Sequence, residues 1–548
     1  MERHRIRLAS RQARAGLAAV LVAAGCAGAG GGAQRAGGGG ATATVAAGKF
    51  TPSSPAAQSY GDVQRRCGAI GITRYMGTDT ADQAKQARKP APQIDGRLCA
   101  VAESLLGWDE KQTVPESVLA FLAFHHGIPS GTVPRVVVAT IDVESERDLA
   151  TRLEEPLIQF MTSAAAQVNY GVASTRGSSG GTKVALAMQE PEVTVEQFPR
   201  KLEAKGEATL SGRLLGPLEN AKVLISGPRG KLEQPESKPG KEFRVPVSCG
   251  GQTGRIVIEI RGEEQGQVAL AGNFPVYCGI DPPTSVDLPT PGGDAAQQER
   301  AIFDEINAER SSAGLAPLQW DDKVAQAARS VSESEAKAGG SGATIAELPQ
   351  RLKAAGVASP VVLANPGVRR SALDAHRRFG LSPVYRANYM STEATHGGAG
   401  VANGKDAQGG AVAFVTEVFV RELAQMDASA VAPKLREALN KRRASAGMAA
   451  FKDDPTLDKV AQEYAQALAG AGGKMSDAKH SQLASPLYKS FRIVDVLSGA
   501  KVDPLEFADE KTVITSKEKA IGIGVSQGDH PVLGKNATYV VLVTGTRK

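Results

Sequence analysis

The chain has 548 residues, which at roughly 150 residues per domain indicates three or four domains rather than one core. Hydrophobic residues make up 42% and charged residues 22%, the usage of ordinary soluble globular proteins, which excludes a disordered, collagen-like or polytopic membrane protein. The formal net charge is +6, but five arginines and one glutamate in the first 25 residues supply most of it. Because most of this charge lies in the first 25 residues, the basic pI does not indicate a nucleic-acid partner. Aromatic residues, which would stack on bases, make up only 5%, so we expect no nucleic-acid partner.

The N-terminus predicts an exported, lipid-anchored protein. An Arg-rich start precedes an apolar run at residues 15–24, which suits a signal peptide and is too short to span a bilayer. The next residues, Val22-Ala-Ala-Gly-Cys26, resemble the lipobox of bacterial lipoproteins. The resemblance implies cleavage after residue 25, lipidation of Cys26 and attachment to a membrane through that lipid. An ordinary signal peptide followed by a stray cysteine is the alternative.

Residues 26–59 predict a flexible tether. The segment is rich in Gly, Ala, Ser and Pro and has almost no large apolar side chain, so it cannot build a hydrophobic core. Ala27 follows Cys26, where an Asp would resemble an inner-membrane retention signal. We therefore expect an outer-membrane lipoprotein that faces the periplasm or the cell surface.

Four further cysteines predict two local disulfide bonds. An even number of cysteines in an exported chain indicates disulfides before metal ligands, and no CxxC or Cys/His cluster suggests zinc. Four cysteines allow three pairings, but they fall as two near pairs in separate compositional blocks. We predict the bonds Cys67–Cys99 and Cys249–Cys278; four buried free thiols are the alternative.

Between residues 200 and 280 the sequence changes to short alternating runs, of which 255–260 is the clearest. Turns rich in Gly, Pro, Ser and Asn separate these runs at roughly 10-residue spacing, which is typical of an antiparallel sandwich. This block predicts a small all-β, immunoglobulin-like sandwich. A Pro-rich linker follows at residues 281–296.

An internal repeat occupies the remainder, as residues 297–425 and a shorter copy at 430–548. Each copy predicts a helix closed by glycine, a turn, a second helix capped by Asp321 or Asp454, and a final hairpin. A fainter copy at residues 60–195 has Asp95 at the corresponding cap. The spacing from the capping Asp to a strand glycine is 76 residues (Asp95 to Gly171), 79 (Asp321 to Gly400) and 70 (Asp454 to Gly524). Identical residues at the constant offset of 133 are Asn307/Asn440, Arg310/Arg443, Ser312/Ser445, Ala313/Ala446, Gly314/Gly447, Ala316/Ala449, Asp321/Asp454 and Ala328/Ala461.

Residues 301–421 resemble the CAP superfamily of cysteine-rich secretory, antigen 5 and pathogenesis-related proteins, whose domain is also called SCP. The resemblance is weaker from about residue 434 onward and weakest in residues 60–195. The resemblance implies an α-β-α sandwich, whose cavity carries two His and two Glu in members that bind a divalent metal. The fold class expected is therefore α+β multidomain, with CAP-like units plus the β-sandwich. The matching segments are Asn307-Ala-Glu-Arg310, Gly314-Leu315, Leu318-Gln-Trp-Asp321, Arg351-Leu-Lys-Ala-Ala-Gly356, Ser382-Pro383 and Thr395-His-Gly-Gly-Ala-Gly-Val-Ala402.

The chain departs from the family at the metal ligands. The position of one Glu holds Ala364, beside a retained Asn365, and that of one His holds Tyr385, beside a retained Arg386. No His lies where the first is expected, near residues 340–344. In the last unit His480 lies close to that position without an evident partner and is interpreted as a surface-loop residue. Since Ala and Tyr do not replace Glu and His as ligands, we expect no metal, no cofactor and no catalytic residue.

Other candidate motifs favour structural roles. The G-x-S-x-G match at 177–181 is interpreted as a hairpin loop, because the segment after it predicts a strand. His125 and His126 are expected at a helix end, His396 at a strand start and His376 on a solvated helix face. Glu333 and Glu335 are interpreted as exposed carboxylates.

The function predicted is ligand or partner binding in the cell envelope without catalysis. The partners expected are the membrane, through the lipid anchor, and a small apolar ligand or an envelope component. Two alternatives stay open. One is a hydrolase acting on peptide or cell-wall material, and the other is a structural envelope spacer.

Overall fold

The computed structural model describes residues 44–46, 48–62, 67–129, 131–143, 145–176, 180–288, 293–340, 344–406 and 409–548. Cys26, the signal segment and most of the tether lie outside these ranges. Among the helices in these ranges, none is long and apolar enough to cross a membrane.

The described chain opens with three short strands and a first α+β unit. The strands are β1 (Thr44–Ala46), β2 (Lys49–Thr51) and β3 (Ser59–Tyr60). The unit consists of α1 (Ile70–Gln86), β4 (Gln93–Ile94), α2 (Gly96–Leu105), α3 (Glu116–His125), β5 (Arg135–Ile141), α4 (Glu146–Ser163), β6 (Asn169–Arg176) and β7 (Thr182–Gln189).

Two sheets then pack face to face around one hydrophobic core, called here the sandwich. One sheet has the order β10-β16-β15-β12-β13 and the other β14-β11-β8. Strict alternation of exposed and buried side chains along residues 242–248 is the two-residue period of a strand with one buried face. The strands are β8 (Val193–Val195), β10 (Lys201–Leu202), β11 (Glu207–Leu214), β12 (Glu219–Ser226), β13 (Leu232–Glu233), β14 (Glu242–Ser248), β15 (Gly254–Glu264) and β16 (Gln267–Cys278). Between β8 and β10, β9 (Phe198–Pro199) pairs with β3 in a separate two-stranded sheet.

Both predicted disulfide bonds are confirmed. Cys249 follows β14 and Cys278 ends β16, so their bond joins the two sheets of the sandwich with 5.7 Å between the Cα atoms. Cys67 is joined to Cys99 on α2, which ties the segment before α1 to the first unit.

After β17 (Val286–Asp287), two further α+β units complete the chain. The middle unit consists of α5 (Ala295–Ser312), β18 (Gln319–Trp320), α6 (Asp322–Lys337), a 3₁₀ helix (Thr344–Glu347), α7 (Leu348–Ala354), β19 (Val362–Arg369), α8 (Ala372–Phe379), α9 (Pro383–Tyr389), β20 (His396–Lys405) and β21 (Ala411–Val420). The last unit consists of α10 (Ala428–Ser445), β22 (Lys452–Asp453), α11 (Pro455–Gly470), α12 (Asp477–Ala484), α13 (Leu487–Ser490), β23 (Phe491–Lys501), a 3₁₀ helix (Pro504–Asp509), α14 (Lys511–Ile514), β24 (Ala520–His530) and β25 (Gly534–Arg547).

All three α+β units contain a four-stranded sheet of one topology. The orders are β4-β6-β7-β5, β18-β20-β21-β19 and β22-β24-β25-β23. In each, a two-residue strand pairs in parallel with the first hairpin strand, and a strand that precedes the hairpin pairs antiparallel with the second. In the middle unit, α5 and α8 contribute to a core that includes Val401 and Val415, and α6 and α7 to a separate core with Val418 and Val420. The layers are therefore α-β-α, as expected.

The helix after each two-residue strand begins where the sequence predicts. The carboxylates of Asp95, Asp321 and Asp454 accept backbone N–H bonds from the first turns of α2, α6 and α11. Gly314 and Gly447, with φ of 68° and 72°, follow the last residues of α5 and α10 and supply the left-handed backbone that ends a helix.

A glycine brings each hairpin into contact with a helix backbone. A Cβ atom on Gly171 would lie 2.1 Å from the backbone nitrogen of Cys99, and one on Gly522 would lie 2.1 Å from the carbonyl carbon of Leu457. Strand register makes Gly398 the equivalent residue of the middle unit, because all three directly follow the strand residue paired with the short strand. The spacing from the capping Asp aligned Gly171 with Gly400 and Gly524. These two glycines lie two residues further along their strands, where they contact the next turn of the helix.

We expect Gly522→Ala to destabilise the last unit by about 1–3 kcal/mol or more, because the helix backbone cannot make room for the added methyl group. The matched control is Gly470→Ala, where a Cβ atom meets nothing within 4 Å. Hydrogen-exchange mass spectrometry of β24 and α11 measures the effect. Equal amide protection in the two variants would contradict this packing.

Candidate functional site

A cavity of about 590 Å³ lies where the first unit, the sandwich and the middle unit meet; it is called here the junction cavity. Apolar side chains from the first unit and the sandwich form part of its lining, while α5, α8 and α9 of the middle unit contribute most of its charged groups. Such a combination of apolar surface with a few fixed polar groups is typical of small-molecule sites. Its lining includes Phe121, Val133, Arg255, Glu305, Ala308, Glu309, His376, Arg386 and Tyr389.

Glu309, whose side chain is 19% exposed, is the centre of a largely buried ionic network in this cavity. Both of its carboxylate oxygens accept hydrogen bonds from Arg255 at 2.8 Å. Its Oε1 also accepts from Arg386 at 2.9 Å, and its Oε2 accepts from the Tyr389 hydroxyl at 2.7 Å. Burial alone would raise the pKa of Glu309, but the two guanidinium groups outweigh it and hold the pKa well below its usual range. The carboxylate is therefore ionised at neutral pH.

Arg386 joins the middle unit to the sandwich. Its side chain is 1% exposed, and besides Glu309 it donates to the hydroxyl of Ser226 and to the carbonyl groups of Gly227 and Pro228. A residue that the family resemblance places beside a metal ligand thus fixes the interface between two modules.

His376 forms a second buried cluster. Its Nδ1 lies 2.7 Å from Oε1 of Glu417, its Nε2 lies 4.0 Å from Oε2 of Glu305, and Glu417 also accepts from the side chain of Asn365. The predicted solvated helix face is wrong for this residue, which is only 4% exposed. Burial lowers the pKa of His376, but the nearby carboxylates raise it further, so the net shift is upward.

This shift makes stability depend on pH. Protonated His376 stabilises the fold fully below about pH 6.5, and the contribution is lost as pH rises through the folded-state pKa, at about 1.4 kcal/mol for each pH unit by which folding raises that pKa. We expect the free energy of unfolding to fall over this window in the wild type and to stay flatter in His376→Gln. His480→Gln, which removes a histidine from another unit, is the control. Parallel pH profiles of wild type and His376→Gln in denaturant titrations would contradict the role of His376.

The predicted degenerate positions do not form one site. Ala364 packs toward α6 and α7, and Asn365 is buried in the His376 cluster. The ring of Tyr385 packs on Phe379, 5.2 Å between centroids, and lines another cavity. His480 lies in α12 of the last unit, where its ring is 5.6 Å from that of Tyr464, so its assignment to a loop is corrected.

The metal that the family resemblance implies does not fit these residues. The side chain of Ala364 has no ligand atom, and the ring of Tyr385 packs on Phe379. His376 and Glu417, which lie in the cluster with Asn365, are hydrogen-bonded to each other. Within the part of the chain that the structure describes, no three His, Cys, Asp or Glu side chains are placed to hold a metal ion.

The residues shared by the repeats support the backbone. Arg310 donates to the carbonyl groups of Ala316, Tyr389 and Ser391. Arg443 makes the equivalent bonds to four carbonyl groups, and Asn307 and Asn440 each accept from a backbone N–H eleven residues further along. These side chains satisfy loop backbone groups in both units, a structural role that requires no metal ion.

The other motifs agree with their structural interpretation, with one exception. His125 ends α3, His396 begins β20, and β6 pairs with β7 on either side of the G-x-S-x-G segment, whose residues 177–179 lie outside the described ranges. Glu333 is exposed as expected, but Glu335 is buried.

Sequence reasoning missed the residues that make the clusters, namely Arg255, Glu305, Glu309, His376 and Glu417. One usable signal was present: Glu417 is the one charged residue of the largely apolar strand Ala411–Val420, and a carboxylate at a core position requires a partner. The pairing itself could not be predicted, since the partners come from distant elements.

The comparisons with known proteins agree with this fold. Residues 303–419, which span most of the middle unit, match the family model CAP, described as the cysteine-rich secretory protein family. A search of curated proteins found no match.

Three similar solved structures are bacterial. An outer surface protein from Borrelia burgdorferi is 18% identical, and the alignment covers 23% of this chain and 100% of that one with a TM-score of 0.20. An extracellular SCP-domain protein from Bacillus anthracis is 16% identical, with 40% and 68% covered and a TM-score of 0.21. A cysteine-rich secretory protein from Staphylococcus aureus is 13% identical, with 43% and 83% covered and a TM-score of 0.19.

Proposed function

We propose that this protein is an exported, lipid-anchored envelope protein that binds a small amphipathic molecule in the junction cavity and has no catalytic role. One observation carries the proposal: the cavity of about 590 Å³ combines apolar side chains, such as Phe121 and Val133, with polar groups held in place by the Glu309 network. An amphipathic ligand would bury its apolar part against the former and direct its polar part to the latter.

The absence of catalysis is proposed from the side chains that occupy the family's ligand positions. Ala364 supplies no ligand atom, and Tyr385 packs on Phe379 instead of facing the His376 cluster. His376 and Glu417 are buried and bonded to each other, an arrangement that suits a structural ion pair.

The compartment and the module roles belong to the same proposal. Two disulfide bonds suit an oxidising compartment outside the cytoplasm. The lipobox-like segment ending at Cys26 would attach the chain to the outer membrane through the tether. The three α+β units would then be CAP-like repeats, and the sandwich an immunoglobulin-like module that forms one wall of the cavity.

Native mass spectrometry of the purified protein, with metal analysis of the same sample, tests this function. We expect a bound organic molecule in the wild type and its loss in Ala308→Trp, which fills the cavity from α5. The control is Asp304→Trp, an exposed position on the same helix that does not line the cavity. A protein at its calculated mass, or a ligand retained by Ala308→Trp, would contradict binding in this cavity. A stoichiometric divalent metal would contradict the non-catalytic role.

A further inference from the structure

A second cavity, of about 500 Å³, lies between the sandwich and the middle unit; it is called here the basic pocket. Strands β15 and β16 form one wall, and β19, α8 and the start of α9 form the other. Its polar lining consists of Arg261, Arg369, Arg378, Glu259, Ser382 and Tyr385. The other lining side chains, such as Leu270 and Phe379, are apolar.

The charges of the three arginines are neutralised by carboxylates to different extents. Arg261 is hydrogen-bonded to Glu259. Arg369 has its Nε 3.3 Å from Oε1 of Glu116, yet this buried atom makes no hydrogen bond. Arg378 donates to the carbonyl of Gly131 at 2.9 Å, and no carboxylate of the described residues lies within 4.0 Å of its guanidinium. Three guanidinium groups are therefore paired with only two carboxylates, those of Glu259 and Glu116.

An arginine in this position is costly without an anion. Burial lowers the pKa of Arg378, and the nearby Arg369 lowers it further, so its surroundings disfavour the charge that it carries. A guanidinium group presents several N–H donors in a plane that matches the paired oxygens of a phosphate or a carboxylate. Arg369 donates through Nη1 to the carbonyl of Val368 and Arg378 donates to that of Gly131, so each guanidinium group keeps further N–H donors for such oxygens.

We propose that the basic pocket binds a small organic anion through a phosphate or carboxylate group held by Arg369 and Arg378. The apolar lining at Phe379 and Leu270 would contact its carbon skeleton, and Tyr385 would lie beside the anion. Arg378 also lines the junction cavity, whereas Arg369, Arg261 and Tyr385 line only the basic pocket. The proposal does not depend on the function proposed above, because the test includes a residue found only in the basic pocket.

Isothermal titration calorimetry on the intact protein tests the site with glycerol 3-phosphate and succinate as probes and glycerol as the neutral control. We expect at least one anion to bind and glycerol not to bind; the tighter anion identifies the group that the pocket prefers. Arg378→Gln and Arg369→Gln should each weaken that binding by about tenfold or more, the effect of losing a charged hydrogen bond. Because Arg369 lines only the basic pocket, an Arg369→Gln variant that binds like the wild type would place the anion elsewhere. The affinity of Arg378→Lys should lie between those of the wild type and Arg378→Gln, because lysine keeps the charge but lacks the planar set of donors.

The control variant is Arg244→Gln, which removes an exposed arginine from β14 of the sandwich. Equal affinity in Arg378→Gln and Arg244→Gln, or no binding of either anion to the wild type, would overturn the proposal. Thermal unfolding provides a second measurement that does not require a strong heat signal. The binding anion should raise the melting temperature of the wild type and of Arg244→Gln, and should leave that of Arg378→Gln unchanged.

Discussion

Glu309→Gln is expected to lower the free energy of unfolding of the sandwich and middle unit by about 3–5 kcal/mol, the cost of breaking a buried ion pair by removing one partner. The charge of Glu309 compensates Arg255 and Arg386, whose side chains are 28% and 1% exposed. The variant keeps the shape of the side chain but leaves two adjacent cations without a counter-charge, and it weakens the acceptor for the Tyr389 hydroxyl. Denaturant unfolding measured at neutral pH gives the loss.

The control for this prediction is Glu393→Gln. Glu393 also pairs with an arginine, Arg421, but its side chain is 57% exposed, so we expect a cost below about 1 kcal/mol. If the two variants unfold at the same denaturant concentration, Glu309 does not hold the modules together in the way its contacts indicate.

Acid adds an independent measurement on the same residue. Because the pKa of Glu309 is lower in the folded protein, its contribution to stability is complete above the unfolded-state pKa of about 4.3 and is lost as pH falls toward the folded-state pKa. The stability gap between wild type and Glu309→Gln should therefore narrow below about pH 4.3. A gap that stays constant down to strong acid would exclude this electrostatic origin.

Replacing Cys249 and Cys278 by serine is expected to destabilise the sandwich by about 3–4 kcal/mol. The bond closes a loop with a sequence separation of 29 residues, and in the chain-entropy treatment its removal releases that much conformational freedom to the unfolded chain. Both sulfur atoms lie in the sandwich core, so packing losses add to the effect. The measurement is denaturant unfolding with and without a reducing agent.

The first unit supplies a matched comparison. Its bond Cys67–Cys99 closes a loop of similar length, with a separation of 32 residues. Serine at these two positions should lower amide protection in α2 and leave the sandwich strands unchanged, whereas serine at Cys249 and Cys278 should do the reverse. A Cys249/Cys278 variant as stable as the oxidised wild type would show that the loop is already constrained in the unfolded chain.

Local features of the fold could be read from the sequence, because their physical causes lie within a few residues. Asp321 and Asp454 cap helices through N–H groups two or three positions away, and the alternation along residues 242–248 is a property of one strand. Cys249 and Cys278 could be paired because they are close in the chain. The choice of Gly400 as the counterpart of Gly171 failed by two residues, because only strand register distinguishes it from Gly398.

The candidate sites could not be read in the same way. Arg386 bonds to Ser226, Gly227 and Pro228, which lie 158–160 residues before it. His376 stands beside two arginines in the sequence, which is typical of an exposed helix face, and only the packing of α8 against β21 turns it toward Glu417. Both cavities form where modules contact each other. The sequence pattern of one module does not predict which surface of another module it will contact.

The pairing of β2 with β17 determines how the chain responds to a force that pulls on its N-terminal side. Phe50 of β2 is buried, lies 5.8 Å from the ring of Trp108 and is opposite Val286 of β17 in the strand register. A pull on the chain ahead of β2 must first separate β1 from β2 and then β2 from β17, before it draws Phe50 out of the core that this residue shares with Trp108 of the first unit. Load entering from that end is thus met first by the backbone hydrogen bonds of this three-stranded sheet, whose last strand, β17, carries Val286 in the lining of the junction cavity.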